Sequence, residues 1–129
     1  MDTITVQWIE RSDYDIKTAS AMLSSRRYLY VAFMCQQSLE KLLKAVIASR
    51  EETPPFMHNL PRLAEEAGVI DEMDQRQQQL LSDLNPYYIK ARYGEYKDAL
   101  SRICDSKEAK RLLQQTKEFS KWLKQKLKP

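Results

Sequence analysis

Residues 86–96, PYYIKARYGEY, hold the densest group of side chains able to contact a nucleotide or a nucleic acid. Four of the seven tyrosines lie here, beside Lys90 and Arg92. Tyrosine rings stack on bases, and cationic groups hold phosphates. The competing reading makes rings such as Tyr88 and Tyr93 hydrophobic plugs closing one end of a folded core, and for those two it is the preferred reading. Arg92 is set apart, because a guanidinium is permanently charged and its donors form a fixed fork suited to phosphate or carboxylate.

Three further groups carry charge in telling positions. Gln36, Gln37, Glu40, Lys41 and Lys44 form a polar line through an otherwise apolar stretch. Glu40 and Lys44 stand four apart in the favourable order, which predicts a helix-face ion pair worth a few tenths of a kcal/mol, about 0.3. In the alternative reading Gln37, Glu40 and Lys41 line a polar cleft. Asp15 lies seven residues from both Trp8 and Met22, along an apolar stripe. It sits either at the stripe's edge in water or as a partly buried carboxylate that needs a cation from Arg92, Lys41 or Lys44. Near the end of the chain, Lys107, Lys110, Arg111, Lys117, Lys121, Lys124, Lys126 and Lys128 are opposed only by Glu108 and Glu118. This is read as a solvated face, with weak attraction to RNA or an acidic partner as the alternative.

Other chemistry is set aside by what is missing. His58 is the single histidine, so a two-histidine zinc motif within the chain is excluded. No glycine pattern supports a nucleophile elbow, and the two glycines are isolated, so there is no phosphate-cradling loop. No metal and no cofactor is expected.

Helical elements must position these groups. Trp8, Ile9, Ile16, Ala19, Met22 and Leu23 recur at steps of three, four and seven, which predicts a helix over 5–23. A second helix is expected over 28–49. It is apolar around most of its circumference, as a buried central helix would be. Pro54-Pro55 closes that region. Asn59 is read as the cap of a short helix over 60–67 stopped by Gly68. A polar helix is expected over 71–84, an irregular or briefly helical piece over 86–96, and a short helix over 95–103. Asp105 and Glu108 match a capping box that opens the final helix. Three long helices plus short ones predict an all-α fold, an antiparallel helical bundle.

Composition agrees. A chain of 129 residues fits one domain, here 1–129, and 43% hydrophobic with 30% charged residues is ordinary for a globular protein. The net charge of +3, from 21 basic and 18 acidic residues, is too balanced to imply a nucleic-acid partner by itself. No apolar run approaches the roughly 20 residues that cross a membrane. The start, Met1-Asp2-Thr3-Ile4, lacks the basic opening and apolar run of a signal peptide, and Cys35 and Cys104 have no CxxC spacing. These features predict a cytoplasmic protein with reduced thiols in or near its core.

The same segments resemble the HEPN domain family. The resemblance is carried by WIERSDYDIKTA over 8–19, YLYVAFMCQQSLEKLLKA over 28–45, His58-Asn59-Leu60 with Leu63, PYYIKARYGEY over 86–96 and TKEFSKWL over 116–123. It covers almost the whole chain. It implies an up-and-down helical bundle that often dimerises and is commonly paired with a minimal nucleotidyltransferase in a toxin–antitoxin system. It also implies a metal-independent ribonuclease site, an Arg followed after four to six residues by His and completed across the dimer. This chain departs from that pattern. Arg92 stands in the expected region, but no His follows it, and Arg50 precedes His58 by one residue too many, in another region. The resemblance therefore implies nucleotide or RNA binding through Arg92, Tyr93 and Tyr96, with Lys90, Gln37, Glu40 and Lys41 as further candidates, without full ribonuclease activity. The alternatives are an active ribonuclease toxin using Arg92, tyrosines and His58 from a symmetry mate, and a structural dimerisation module. A homodimer is expected, both from the resemblance and from apolar positions on the second helix that one bundle would leave uncovered.

Overall fold

The computed structural model describes residues 1–90, 102 and 104–127, with the side chains of Ile89 and Lys90 outside that description. Helix α1 spans Thr3–Ser24 and is opened by Asp2, whose carboxylate accepts from the Thr5 amide at 2.7 Å. That bond to the Thr5 backbone holds the Asp2 carboxyl below its ordinary range. The helix ends where Arg26 takes a left-handed φ of 62° and the Arg27 amide turns back to the Met22 carbonyl at 2.8 Å.

Helix α2, Tyr28–Ala48, starts after this turn. Its apolar residues lie on nearly every face, and it packs against every other α-helix described below. Leu39, Leu42 and Leu43 are wholly inaccessible. Each such side chain contributes roughly 1.5–3 kcal/mol of burial.

The chain after α2 folds into short pieces. Helix α3, Leu60–Glu66, begins at Asn59, whose side chain accepts from the Arg62 amide, and stops at Gly68 with φ of 72°. Arg50 donates to the carbonyls of Glu66 and Ala67 at the end of α3. The polar helix expected over 71–84 is in fact two elements, a 3-10 turn at Ile70–Glu72 and helix α4 at Gln75–Leu84. The break follows from Asp74, which forms a complete capping box with Gln77 and so starts a new helix. Helix α5 is the single turn Tyr87–Lys90. The helix expected over 95–103 lies outside the described residues, except for Arg102, which is helical.

Helix α6, Ser106–Gln125, closes the bundle. Asp105 caps it by accepting from the Glu108 amide at 2.9 Å. Only half of the expected capping box forms, because Glu108 turns instead to Arg111, at 2.6 Å from both Nε and Nη2. Helices α1 and α6 run antiparallel. Lys124 bonds Asp13 toward one end, and at the other the Cys104 thiol donates to the Tyr28 carbonyl at 3.4 Å.

The described residues form an all-α helical bundle, with no strand among them. No described helix is long and apolar enough to cross a membrane. One expectation is corrected here. The apolar faces of α2 are largely covered within the chain, so they give no reason for a dimer. Among the described residues, the exposed large apolar side chains are Met1, Ile4, Val6 and Tyr14 at or near α1, and Phe56 in the loop after α2.

Candidate functional site

The polar line of α2 divides between two neighbours, as its spacing on a helix requires. Lys41 faces α1 and donates to Asp15 Oδ2 at 2.6 Å. Asp15 is 4% exposed, so it sits inside the stripe, paired with Lys41 and not with Lys44. One turn earlier, Ser12 and Ser38 clasp the same two helices. Each hydroxyl donates to the other residue's carbonyl, at 2.8 and 3.0 Å. Small side chains here let the backbones approach, and each polar atom is satisfied inside the contact.

The other half of the line faces the loop before α3. Glu40 is buried and accepts three hydrogen bonds. Gln36 Nε2 reaches its Oε1 at 3.2 Å, His58 Nδ1 reaches the same oxygen at 2.9 Å, and Lys44 Nζ reaches Oε2 at 3.2 Å. Gln36, with no exposed surface, also donates to the His58 carbonyl at 3.1 Å and accepts from Gln37 Nε2 at 2.7 Å. The Glu40–Lys44 pair is thus no surface pair: both side chains are 7% exposed. Burial raises its importance well above the few tenths of a kcal/mol of an exposed pair, about 0.3. Lys44 Nζ also lies 5.7 Å from the centroid of the Trp8 ring, a favourable position for a cation.

His58 brings this network to the surface. Its side chain is 37% exposed, and its ring stacks on Tyr88 with centroids 3.6 Å apart and planes 16° from parallel. A carboxylate only accepts, so Nδ1 is the donor in the bond to Glu40. Of the two neighbouring tyrosines it is Tyr87, 3% exposed, that plugs the core, whereas Tyr88 is half-buried against His58. Burial pushes the Tyr87 hydroxyl well above its ordinary pKa. Asn85 fixes the adjoining corner by accepting from the Leu60 amide at 2.9 Å.

The candidate residues therefore part company. Gln37 and Glu40 belong to the His58 network, while Lys41 belongs to the Asp15 pair on the α1 side. The Lys90 side chain, Arg92, Tyr93 and Tyr96 lie outside the described residues. Arg50, whose spacing to His58 misses the family pattern by one residue, instead holds the end of α3. Sequence reasoning does not join His58, Gln36 and Tyr88 into one group. The available signal is a glutamine with no reason to be on the apolar side of α2, twenty-two residues before a lone histidine. No cluster suited to a metal occurs among the described residues.

Comparison with known proteins places this architecture. Over 97% of this chain and 99% of the other, the fold matches the crystal structure of TT1696 from Thermus thermophilus, at 21% identity and a TM-score of 0.83. It also matches ST0689, an archaeal HEPN homologue, over 98% of this chain and 100% of that one, at 19% identity and a TM-score of 0.76. At these identities the likeness concerns the fold alone. No curated protein matches the chain. The model of the HEPN domain matches residues 5–127, nearly the full length of the bundle, and the chain therefore belongs to the HEPN family.

Proposed function

We propose that this HEPN protein binds a nucleotide, or a nucleotide within RNA, where the Gln36–Glu40–His58 network meets Tyr88 and the segment that follows. The observation that carries the reading is His58, held through Nδ1 by a buried carboxylate and stacked on Tyr88, which stands four residues before Arg92. A histidine placed this way offers Nε2 to a base or hydroxyl. A half-buried stack offers a ring edge, and Arg92 supplies a permanent cation for a phosphate. Gln37, Glu40, Lys90, Tyr93 and Tyr96 complete the proposed set, while Lys41, held by Asp15 on the α1 side, stands apart from it. Family membership supports a homodimer and pairing with a minimal nucleotidyltransferase in a toxin–antitoxin or stress-response system. Light scattering at micromolar concentration tests the dimer, and a monomer mass throughout rejects it.

The test of binding is a calorimetric titration of mononucleotides and short RNAs against wild type and Arg92→Ala. At least a tenfold loss in the variant is expected, equivalent to roughly 1.4 kcal/mol. Equal affinity in both proteins removes Arg92 from the site.

A second reading, a metal-independent ribonuclease, is favoured by one observation. His58 brings an imidazole onto Tyr88, four residues before Arg92 in the sequence, and its Glu40 bond is the orientation a general base needs. Metal-independent cleavage by wild type, lost in both His58→Ala and Arg92→Ala, would establish this reading over binding alone.

A further inference from the structure

The charges of α6 are sorted onto two sides. Toward α4 they are paired: Arg111 with Glu108 and Asp83, and Arg76 of α4 with Glu118. Toward α1 most are not. A groove of about 420 Å³ lies between α1 and α6, lined by Lys17, Lys117, Lys121, Lys124, Asp13 and Ile16 among others. Lys124 is held by Asp13. Lys17, Lys117 and Lys121 are exposed and have no acidic partner within ion-pair distance among the described residues. Lys110 continues the line on α6, seven residues before Lys117. From Lys110 to Lys124 the stripe is about 21 Å long, at 1.5 Å per residue. Because α1 and α6 run antiparallel, it leads toward the end of the bundle where Arg26 and Arg27 lie exposed.

We infer that this α1–α6 groove binds the sugar–phosphate backbone of single-stranded RNA. Unpaired like charges along one groove repel one another, and a polyanion that follows the groove relieves this while releasing its counterions. A folded acidic protein fits less well. The cores of protein interfaces are depleted in lysine, and this groove offers lysine along most of its length. Tyr14 adds a stacking surface: it is 72% exposed and stands one turn from Lys17 on α1. The groove shares no residue with the Gln36–His58 network, so it stands or falls independently of nucleotide binding there.

The probe is a fluorescently labelled twelve-residue oligouridylate, titrated by anisotropy at several salt concentrations. Three lysine–phosphate contacts give a slope of log affinity on log salt near −2, at about −0.7 per contact on a single strand. Lys117→Ala/Lys121→Ala should flatten that slope by about 1.4 and weaken binding at least tenfold at low salt. Arg62→Ala/Arg76→Ala removes the same net charge from exposed sites elsewhere and should change affinity less than threefold. Circular dichroism checks that both variants fold. Absence of wild-type binding at low salt overturns the inference. So does an equal loss in both double variants, which would mean that only overall charge matters. Competition by polyglutamate as effective as by unlabelled RNA of equal charge would overturn it in favour of an acidic protein face. Loss of mononucleotide binding in Arg92→Ala with oligouridylate binding intact would separate the two sites.

Discussion

Replacing Glu40 by alanine should be among the most damaging single changes in this chain, and the reason can be worked through partner by partner. The carboxylate has three partners: Gln36, Lys44 and His58. Gln36 Nε2 keeps its bond to the His58 carbonyl, so it is not orphaned. His58 is partly exposed and can exchange the carboxylate for water. Lys44 has no such escape, being 7% exposed on its side chain. Removing one member of a buried pair costs about 3–5 kcal/mol, mostly through the charge left behind. The Trp8 ring face, 5.7 Å away, offsets about 1 kcal/mol of that. Against a total stability of roughly 5–15 kcal/mol, the net loss is a fifth or more of a mid-range value. Urea unfolding followed by circular dichroism reads it directly. With a slope of about 2 kcal/mol per molar, the midpoint should fall by about 1–2 M. Lys44→Met added to Glu40→Leu should recover most of the loss, because it removes the stranded charge while keeping apolar volume. A midpoint drop below about 0.5 M in Glu40→Ala, or no recovery in the double variant, would refute the stranded Lys44 charge as the main source of the loss.

Other perturbations separate the remaining contacts. Asp15→Ala should cost less than Glu40→Ala, about 1.5–3 kcal/mol, because Lys41 can swing into water; thermal melting should show a fall of roughly 4–10 °C. An unchanged melting point would reject the pair as a stabilising contact. Burial pushes the Cys35 thiol up to about 12 and the Cys104 thiol up to about 11. Both are raised in the fold, so this stabilisation is whole below the unfolded thiol value of about 8.5 and is lost as pH rises through the folded values. Neither thiol should react with a disulfide reagent at pH 8 without unfolding, and urea midpoints should fall progressively above about pH 9. Rapid modification of the native protein would place a thiol at the surface.

The long helices are legible in the sequence because their apolar residues repeat at helical spacing and their ends carry caps. Asn59 and Gly68 bound α3 for the same reason. The break at Asp74 is hidden from apolar periodicity, which runs across it, although Asp74 and Gln77 have the spacing of a capping box. Sequence narrows the partner of Asp15 to three cations without choosing one, since periodicity gives a face and not a neighbour. Helical spacing likewise assigns the Glu40–Lys44 pair the energy of an exposed pair, because it does not report that the loop before α3 covers it. His58 escapes for a related reason. Its partners lie eighteen to twenty-two residues upstream and on Tyr88, joined only when the loop after Pro54-Pro55 folds back over α2.

The central claim is tested most directly by mapping where a bound nucleotide sits. Two-dimensional NMR with selective observation of side-chain amides and the single histidine can follow a mononucleotide titration. Nucleotide binding at this site should give saturable shifts confined to the Gln37 side-chain amide, the His58 ring and the backbone of residues 86–96, all reduced in Arg92→Ala. Saturable shifts confined to Lys17, Lys117 and Lys121, or no shifts at millimolar nucleotide, would contradict it.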